Sequence, residues 1–304
     1  MKNSIKIIFI ALALIFSRCD NTFVYKGDSH SRGKTTVYVE ESFKPLFETS
    51  IYTFQSQFQS ANIKSIYCTE KEAIDAFVAN KTKTLFITRD FTDKEKENLK
   101  KSQVEVRSEK LADDAVALII NPENLDSSIT VNHLKKLLKG EETLWETSKR
   151  KVDIVFDHEN SANFIYLRNL IGTNSPIQAN VFALKSNEEV IEYVKSHKNA
   201  LGVIGVNWIS DQDDEKVLSF LEGIKVMEVS KDENSEYFKP YQAYIFTKDY
   251  PLTRELWSIN KASKSGLNTG FVLFLQGEKG QLIIHKSSLV PANTPIRMMQ
   301  IKTE

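Results

Sequence analysis

The chain has 304 residues, of which 41% are hydrophobic, 26% charged and 10% aromatic. These are the proportions of a folded protein with a substantial core, and they exclude a disordered, collagen-like or multispan membrane chain. Forty Lys and Arg residues balance forty Asp and Glu, so the excess positive charge that marks a nucleic-acid binder is missing and no nucleic-acid partner is expected.

Lys2 and Lys6 precede ten apolar residues, Ile7 to Phe16. Such a run is too short for the roughly twenty residues of a membrane-spanning helix, but it fits the apolar region of a secretory signal peptide. Residues 1–18 are therefore expected to be a signal peptide, and removing Lys2, Lys6 and Arg18 leaves a net charge of about −3. The segment Ile15-Phe16-Ser17-Arg18-Cys19-Asp20 resembles the lipobox of bacterial lipoproteins, although Arg18 stands where a small residue is usual. That resemblance implies lipidation of Cys19, a membrane contact through the lipid anchor, and a place on the periplasmic face of the cell envelope. Residues 19–35, polar and aperiodic after Cys19, are expected to form a flexible tether.

The second cysteine, Cys68, ends an apolar strand-like segment and reads as a small buried hydrophobe, so no disulfide is expected. Five histidines at 30, 133, 158, 197 and 285 lack metal-ligand spacing. No metal or cofactor is expected.

From Thr36 onward, β-branched runs alternate with segments of helical period, the pattern of an α/β fold. Strands are expected at Thr36–Glu40, Ile63–Cys68, Thr84–Thr88, Ala115–Ile120, Val152–Phe156, Asn180–Leu184, Leu201–Val206, Ile224–Glu228 and Ala243–Thr247. Thr92 with Glu95, and Ser186 with Glu189, have capping-box spacing for helices through Lys100 and Lys198. Leu267–Gln276 and Lys279–Lys286 read as a helix pair broken at Gly277. Pro291 and Pro295 exclude regular helix or central strand at the end of the chain.

At Asp114-Ala115-Val116-Ala117-Leu118-Ile119-Ile120-Asn121-Pro122 the sequence resembles the phosphate-type solute-binding proteins of ABC transporters. In that family such a strand crosses from one lobe to the other and leads through a Leu-Thr loop and a helix to a Gly-x-x-x-x-Trp ending. Here Thr130 opens the helix Val131–Lys139, and Gly140 to Trp145 closes the block. Leu85 to Arg89 with Glu95, Ala200 to Val206, Tyr250-Pro251-Leu252-Thr253-Arg254, and Phe274 through Gln281 to Val290-Pro291 continue the likeness in order. The resemblance implies a two-lobed periplasmic binding protein type II fold with two crossing hinge strands. Lobe 1 is expected at 36–112 plus 241–304 and lobe 2 at 113–240, with a small-molecule ligand such as phosphate held between them and a partner ABC permease.

The same resemblance places Ser42 in the first ligand loop, Thr88 at a ligand-binding hydroxyl position beside Arg89, and Asp114 at the carboxylate that accepts the proton of phosphate. Asp157 to Asn163 matches the loop that opens a lobe-two helix and supplies Ser161 and Asn163 as donors. The pocket departs from the family at two positions. Glu41 brings a carboxylate to the first loop, and Asp157 stands where the phosphate-clamping Arg belongs, so the pocket's best cation is expected to be missing. Surface exposure is the plain alternative for Glu41 and Asp157, helix capping for Ser161, and a salt-bridging or cleft-rim role for Arg89. His158 offers a cation only when protonated.

No Ser-His-Asp order, acid-base carboxylate pair or phosphate-binding Gly loop is present, so an enzyme is not expected. Two functions follow. One is an exported, lipid-anchored solute-binding protein for phosphate or a related small solute. The other is a non-transport member of the fold, a sensor or envelope-assembly partner, that has lost phosphate binding.

Overall fold

The structure, a computed structural model, describes residues 27–172, 177, 180–210, 215–261 and 265–293. The expected signal peptide, Cys19 and Pro295 lie outside the described residues. Strands β1 (Gly33–Glu40), β2 (Ala61–Cys68) and β3 (Thr84–Ile87) alternate with helices α1 (Lys44–Gln57), α2 (Glu70–Val78) and α3 (Asp93–Lys101). β1 lies between β2 and β3, parallel to both, as the right-handed alternation of strand and helix requires. Thr69 and Thr92 cap α2 and α3 with reciprocal Glu72 and Glu95 bonds, so the Thr92–Glu95 box forms as its spacing predicts.

The long strand β4 (Val106–Ile120) then joins the two parts of the molecule. It is followed by β5 (Ser128–Thr130), α4 (Val131–Lys139), β6 (Asp153–Phe156), α5 (Ala162–Leu170), β7 (Val181–Ala183), α6 (Asn187–Ser196), β8 (Ala200–Gly205), α7 (Glu215–Leu221), β9 (Lys225–Val226) and β10 (Glu228–Ser230). The chain returns through α8 (Gln242–Thr247) and β11 (Thr253–Lys261), and ends in α9 (Leu267–Gln276), α10 (Glu278–Lys286) and β12 (Val290–Pro291). The strand order β2-β1-β3-β11-β4-β8-β6-β7 pivots on β4. Its residues 106–115 pair with β11, and its residues 116–120 pair with β8. At the changeover the Val116 amide donates to the Leu252 carbonyl at 2.9 Å and the Tyr250 hydroxyl to the Val116 carbonyl at 2.7 Å. Both chain crossings are thus tied side by side.

The largest core cluster runs across this division, from Val39 and Phe47 to Leu134 and Val203, and smaller clusters lie on either side of it. Phe47, Phe54, Phe86 and Phe271 pack edge-on or tilted between α1, α9 and the first strands. Ile119, Val190, Val194 and Ile204 pack α6 onto β4 and β8. Gly140 ends α4 at φ 72°, a left-handed conformation that glycine adopts without a Cβ clash.

Three sequence expectations change. Ala243–Thr247, expected as a strand, is helix α8, in which only Ile245 is buried; a single buried stripe satisfies a helix, whereas a central strand would bury alternate residues. Ile224–Glu228 divides into β9, which pairs with β4, and β10, which pairs with β5. The first half of β4 and all of β11 are strands although charged residues interrupt their apolar pattern. Their register bonds, with Lys110 spanning Asp113 and Glu255 at 3.0 and 2.8 Å, accommodate those charges at the sheet surface.

Candidate binding site

Three helices begin where the two parts of the molecule face each other, beyond the carboxyl ends of parallel strands, the usual crevice of open α/β sheets. β1 ends at Glu40 and runs directly into a 3-10 turn, Glu41–Phe43, that feeds α1. β6 leads through Asp157 to Ser161, the N-cap of α5, whose hydroxyl accepts from the Phe164 amide at 3.1 Å. Ser186 caps α6, accepting from the Glu189 amide at 3.2 Å. Each helix start presents backbone N–H groups that favour negative charge.

The centre of this crevice is Arg254. It lies opposite Asp114 in the β11–β4 register and is 8% exposed. Its Nε donates to Asp114 Oδ2 at 2.6 Å, Nη1 to Asn163 Oδ1 at 2.9 Å and Nη2 to Ser42 Oγ at 2.8 Å. The guanidinium also sits 5.3 Å from the Phe43 ring centroid, within cation–π reach. The expectation that Asp157 leaves the pocket without its best cation is thereby corrected: β11 delivers a guanidinium to the crevice from a distant part of the chain.

Around Arg254 the carboxyl groups outnumber it. Glu40 is fully buried. Its Oε2 accepts from the Ser42 amide at 3.0 Å and from the Ser42 hydroxyl, and its Oε1 accepts from the Ala162 amide, the first of α5, at 3.3 Å. Asn187 Nδ2 donates to Glu41 Oε2 at 2.6 Å and to Asp157 Oδ2 at 3.2 Å. Asn163 Nδ2 donates to Asp157 Oδ1 at 3.0 Å and to Asn187 Oδ1 at 3.2 Å. Asn207 Nδ2 donates to the Ser42 carbonyl at 2.8 Å. Asp157 is 0% and Glu41 9% exposed, which corrects the surface-charge alternative for both.

Three buried carboxyl groups facing one guanidinium, with Glu41 set against Glu40 and Asp157, cannot all ionise cheaply. Burial raises Glu40 to about 7, with Arg254 pulling it down and Asp157 pushing it up. Burial and the neighbouring Asp157 raise Glu41 to about 8. Burial raises Asp114 and Asp157 as well, against the attraction of Arg254. Near neutrality the cluster therefore holds protons that the same groups would release in water.

Of the residues expected at the site, Ser42, Asp114, Ser161, Asn163, Glu41 and Asp157 converge here. Thr88 and Arg89 are held elsewhere. The Thr88 hydroxyl donates to Glu70 Oε2 at 2.6 Å, and Arg89 Nε donates to Glu70 Oε1 at 2.9 Å. Arg89 also makes a fork with Glu95 at 2.8 and 2.9 Å, which holds the Glu95 carboxyl down at about 2. Its salt bridges, with a side chain 40% exposed, match the salt-bridging alternative for Arg89.

Glu40, Asn187, Asn207 and Arg254 were not singled out by sequence. Arg254 ends the quoted Tyr-Pro-Leu-Thr-Arg segment, which carried a usable signal; Glu40 reads only as the last residue of a strand. An open groove of about 550 Å³ adjoins the cluster, with Tyr67 and Thr69 on one wall, His158 and Asn160 on the other, and Glu41 lining it.

Comparison with known proteins finds that residues 26–279 match the model of the PBP superfamily domain. The phosphate-binding protein PstS of Staphylococcus epidermidis is 22% identical over 265 residues, covering 84% of this chain and 76% of that protein. PstS of Staphylococcus aureus is 23% identical over the same length and coverage. An ABC-type phosphate transport receptor from Vibrio cholerae superposes with a TM-score of 0.64 at 17% identity, over 84% of this chain and 99% of that structure.

Proposed function

The chain belongs to the PBP superfamily and is a PstS-like substrate-binding protein of the type II fold, and from that premise we propose that it is an exported, lipid-anchored receptor that takes phosphate or a related small solute between its lobes. Cys19 carries the anchor on the periplasmic face of the envelope, residues 36–112 with 241–304 and residues 113–240 form the lobes, and an ABC permease receives the closed form. It is a receptor and not an enzyme.

The observation that carries this reading is the buried guanidinium of Arg254, which donates to Ser42 and to Asn163 from the two sides of the crevice, with the Ala162 amide at the start of α5 donating to Glu40 beside it. Asp114 Oδ1 is buried without a hydrogen-bond partner, an acceptor suited to a solute that carries a proton. The surrounding Glu40, Glu41 and Asp157 repel a dianion unless they are protonated. Affinity should therefore rise as pH falls through the range in which these groups gain protons. Calorimetric titration of the purified full chain with inorganic phosphate is expected to show binding at least about tenfold tighter at pH 5.5 than at pH 8.5. Absence of heat and of thermal shift at millimolar phosphate at both pH values would overturn the reading.

A second reading, a sensor or envelope-assembly partner without phosphate binding, is favoured by one feature. The bonds that span the crevice, Glu40 to Ala162, Glu41 to Asn187, Arg254 to Asn163 and Lys44 to Glu188, join the chain's own groups.

A further inference from the structure

We infer that Glu40 is a tethered stand-in for the ligand anion: its carboxylate occupies the donors on which a solute oxyanion would sit, so such a solute enters only by displacing it. The inference rests on the reading above only for where the anion is held. A side chain that merely capped its own 3-10 turn would be satisfied by Ser42, two residues away. Glu40 does more, because its second oxygen reaches Ala162 at the start of α5, 122 residues along the chain. One carboxylate thus bridges the start of the α1 region and the start of α5, each of which offers backbone N–H groups and a favourable dipole to an anion.

The link to the cation is equally direct. The Ser42 hydroxyl donates to Glu40 and accepts from Arg254 Nη2, so Glu40 is one hydrogen bond removed from the guanidinium. Fully buried and contacted from two sides of the crevice, its carboxylate has the surroundings of a bound oxyanion. The charged and titratable groups around it are Arg254, Asp157 and Glu70, the Cys68 thiol opposite it in the β1–β2 register, and Glu41 next to it in the chain. Of these only Arg254 is cationic, and a second anion beside Glu40 would meet uncompensated repulsion. Glu40 therefore sets specificity by competition: it excludes oxyanions that cannot outcompete a carboxylate of very high local concentration.

The test is to remove the carboxylate and restore it from solution. In Glu40→Ser, 10 mM acetate or inorganic phosphate at pH 7.5 is expected to raise the melting temperature by about 3 °C or more, while the wild-type chain shifts by less than about 1 °C. Phosphate should bind this variant at least about tenfold more tightly than the wild type. A folded variant that neither anion stabilises more than it stabilises the wild type would overturn the inference. If Glu40→Ser does not fold, the isosteric Glu40→Gln keeps the shape and removes the charge; tighter phosphate binding than wild type supports the inference and equal binding overturns it. A wild-type chain that ignores phosphate at pH 5.5, together with a Glu40→Ser variant that gains acetate stabilisation, would remove the phosphate-receptor reading and leave this one standing. Wild-type binding at pH 5.5 with no gain in the variant would do the reverse.

Discussion

Arg254→Ala is expected to destabilise the chain by about 3–5 kcal/mol, because it leaves buried polar partners without their cation. Asp114 is 0% exposed and accepts the 2.6 Å bond from Arg254 Nε, so truncation strands an ionisable group in the interior. Ser42 and Asn163 lose a donor at the same time. Arg254→Lys retains charge but has no planar fork with which to reach Asp114, Asn163 and Ser42 together, and it should recover less than half of the loss. Urea unfolding monitored by circular dichroism gives the comparison directly. A change below about 1 kcal/mol for Arg254→Ala, the range of an exposed ion pair, would mean that Arg254 does not organise the crevice.

Stability should fall as pH rises from about 5 to above 8. Glu40 and Glu41 have folded values of about 7 and about 8 against an ordinary 4.5. Groups whose folded value is raised bind protons more tightly in the native state. Their favourable contribution is complete below 4.5 and is lost as pH climbs through the folded values. Each group contributes a slope of up to about 1.4 kcal/mol per pH unit between its two values. Glu41→Gln keeps an amide oxygen for the Asn187 bond and removes the proton exchange, so its unfolding free energy should be flatter between pH 6 and 8 and exceed that of the wild type at pH 8.5. Denaturant midpoints at four or five pH values measure both slopes. Parallel curves for wild type and variant would contradict the burial assigned to Glu41.

Legibility in the sequence tracked how local each signal was. The helix pair Leu267–Gln276 and Glu278–Lys286 separated by Gly277, and the Thr92–Glu95 cap, depend on residues within one or two turns, and the sequence displays them openly. The segment of α8 reads as a strand because its four-residue apolar run, Ala243 to Phe246, carries no period long enough to separate helix from strand. Within the site, Ser42, Ser161 and Asn163 stand at helix starts and Asp114 lies inside β4, and it is the resemblance to the solute-binding family that marks them. Arg254 escaped notice as the missing cation because its partners Asp114 and Ser42 are 140 and 212 residues away in sequence. For Glu41 and Asp157 the sequence leaves surface exposure open beside a pocket position for the same reason: the amides that make their burial tolerable, Asn163 and Asn187, are brought to them by α5 and α6. Thr88 and Arg89 show the converse, since their local fit to a ligand loop gave no view of Glu70, which engages both.

Carboxyl-carbon NMR of the chain labelled with 13C at glutamate and aspartate, titrated from pH 3 to 10 and assigned with Glu40→Gln and Glu41→Gln, tests the buried carboxyl–arginine cluster most directly. Glu40 and Glu41 are expected to titrate near 7 and 8, with the Glu41 transition moving when Asp157 is replaced by Asn. If both titrate below about 5, as exposed glutamates do, the crevice is solvated, its carboxyl groups share no protons at neutral pH, and a cleft organised around Arg254 and its own carboxyl groups is contradicted.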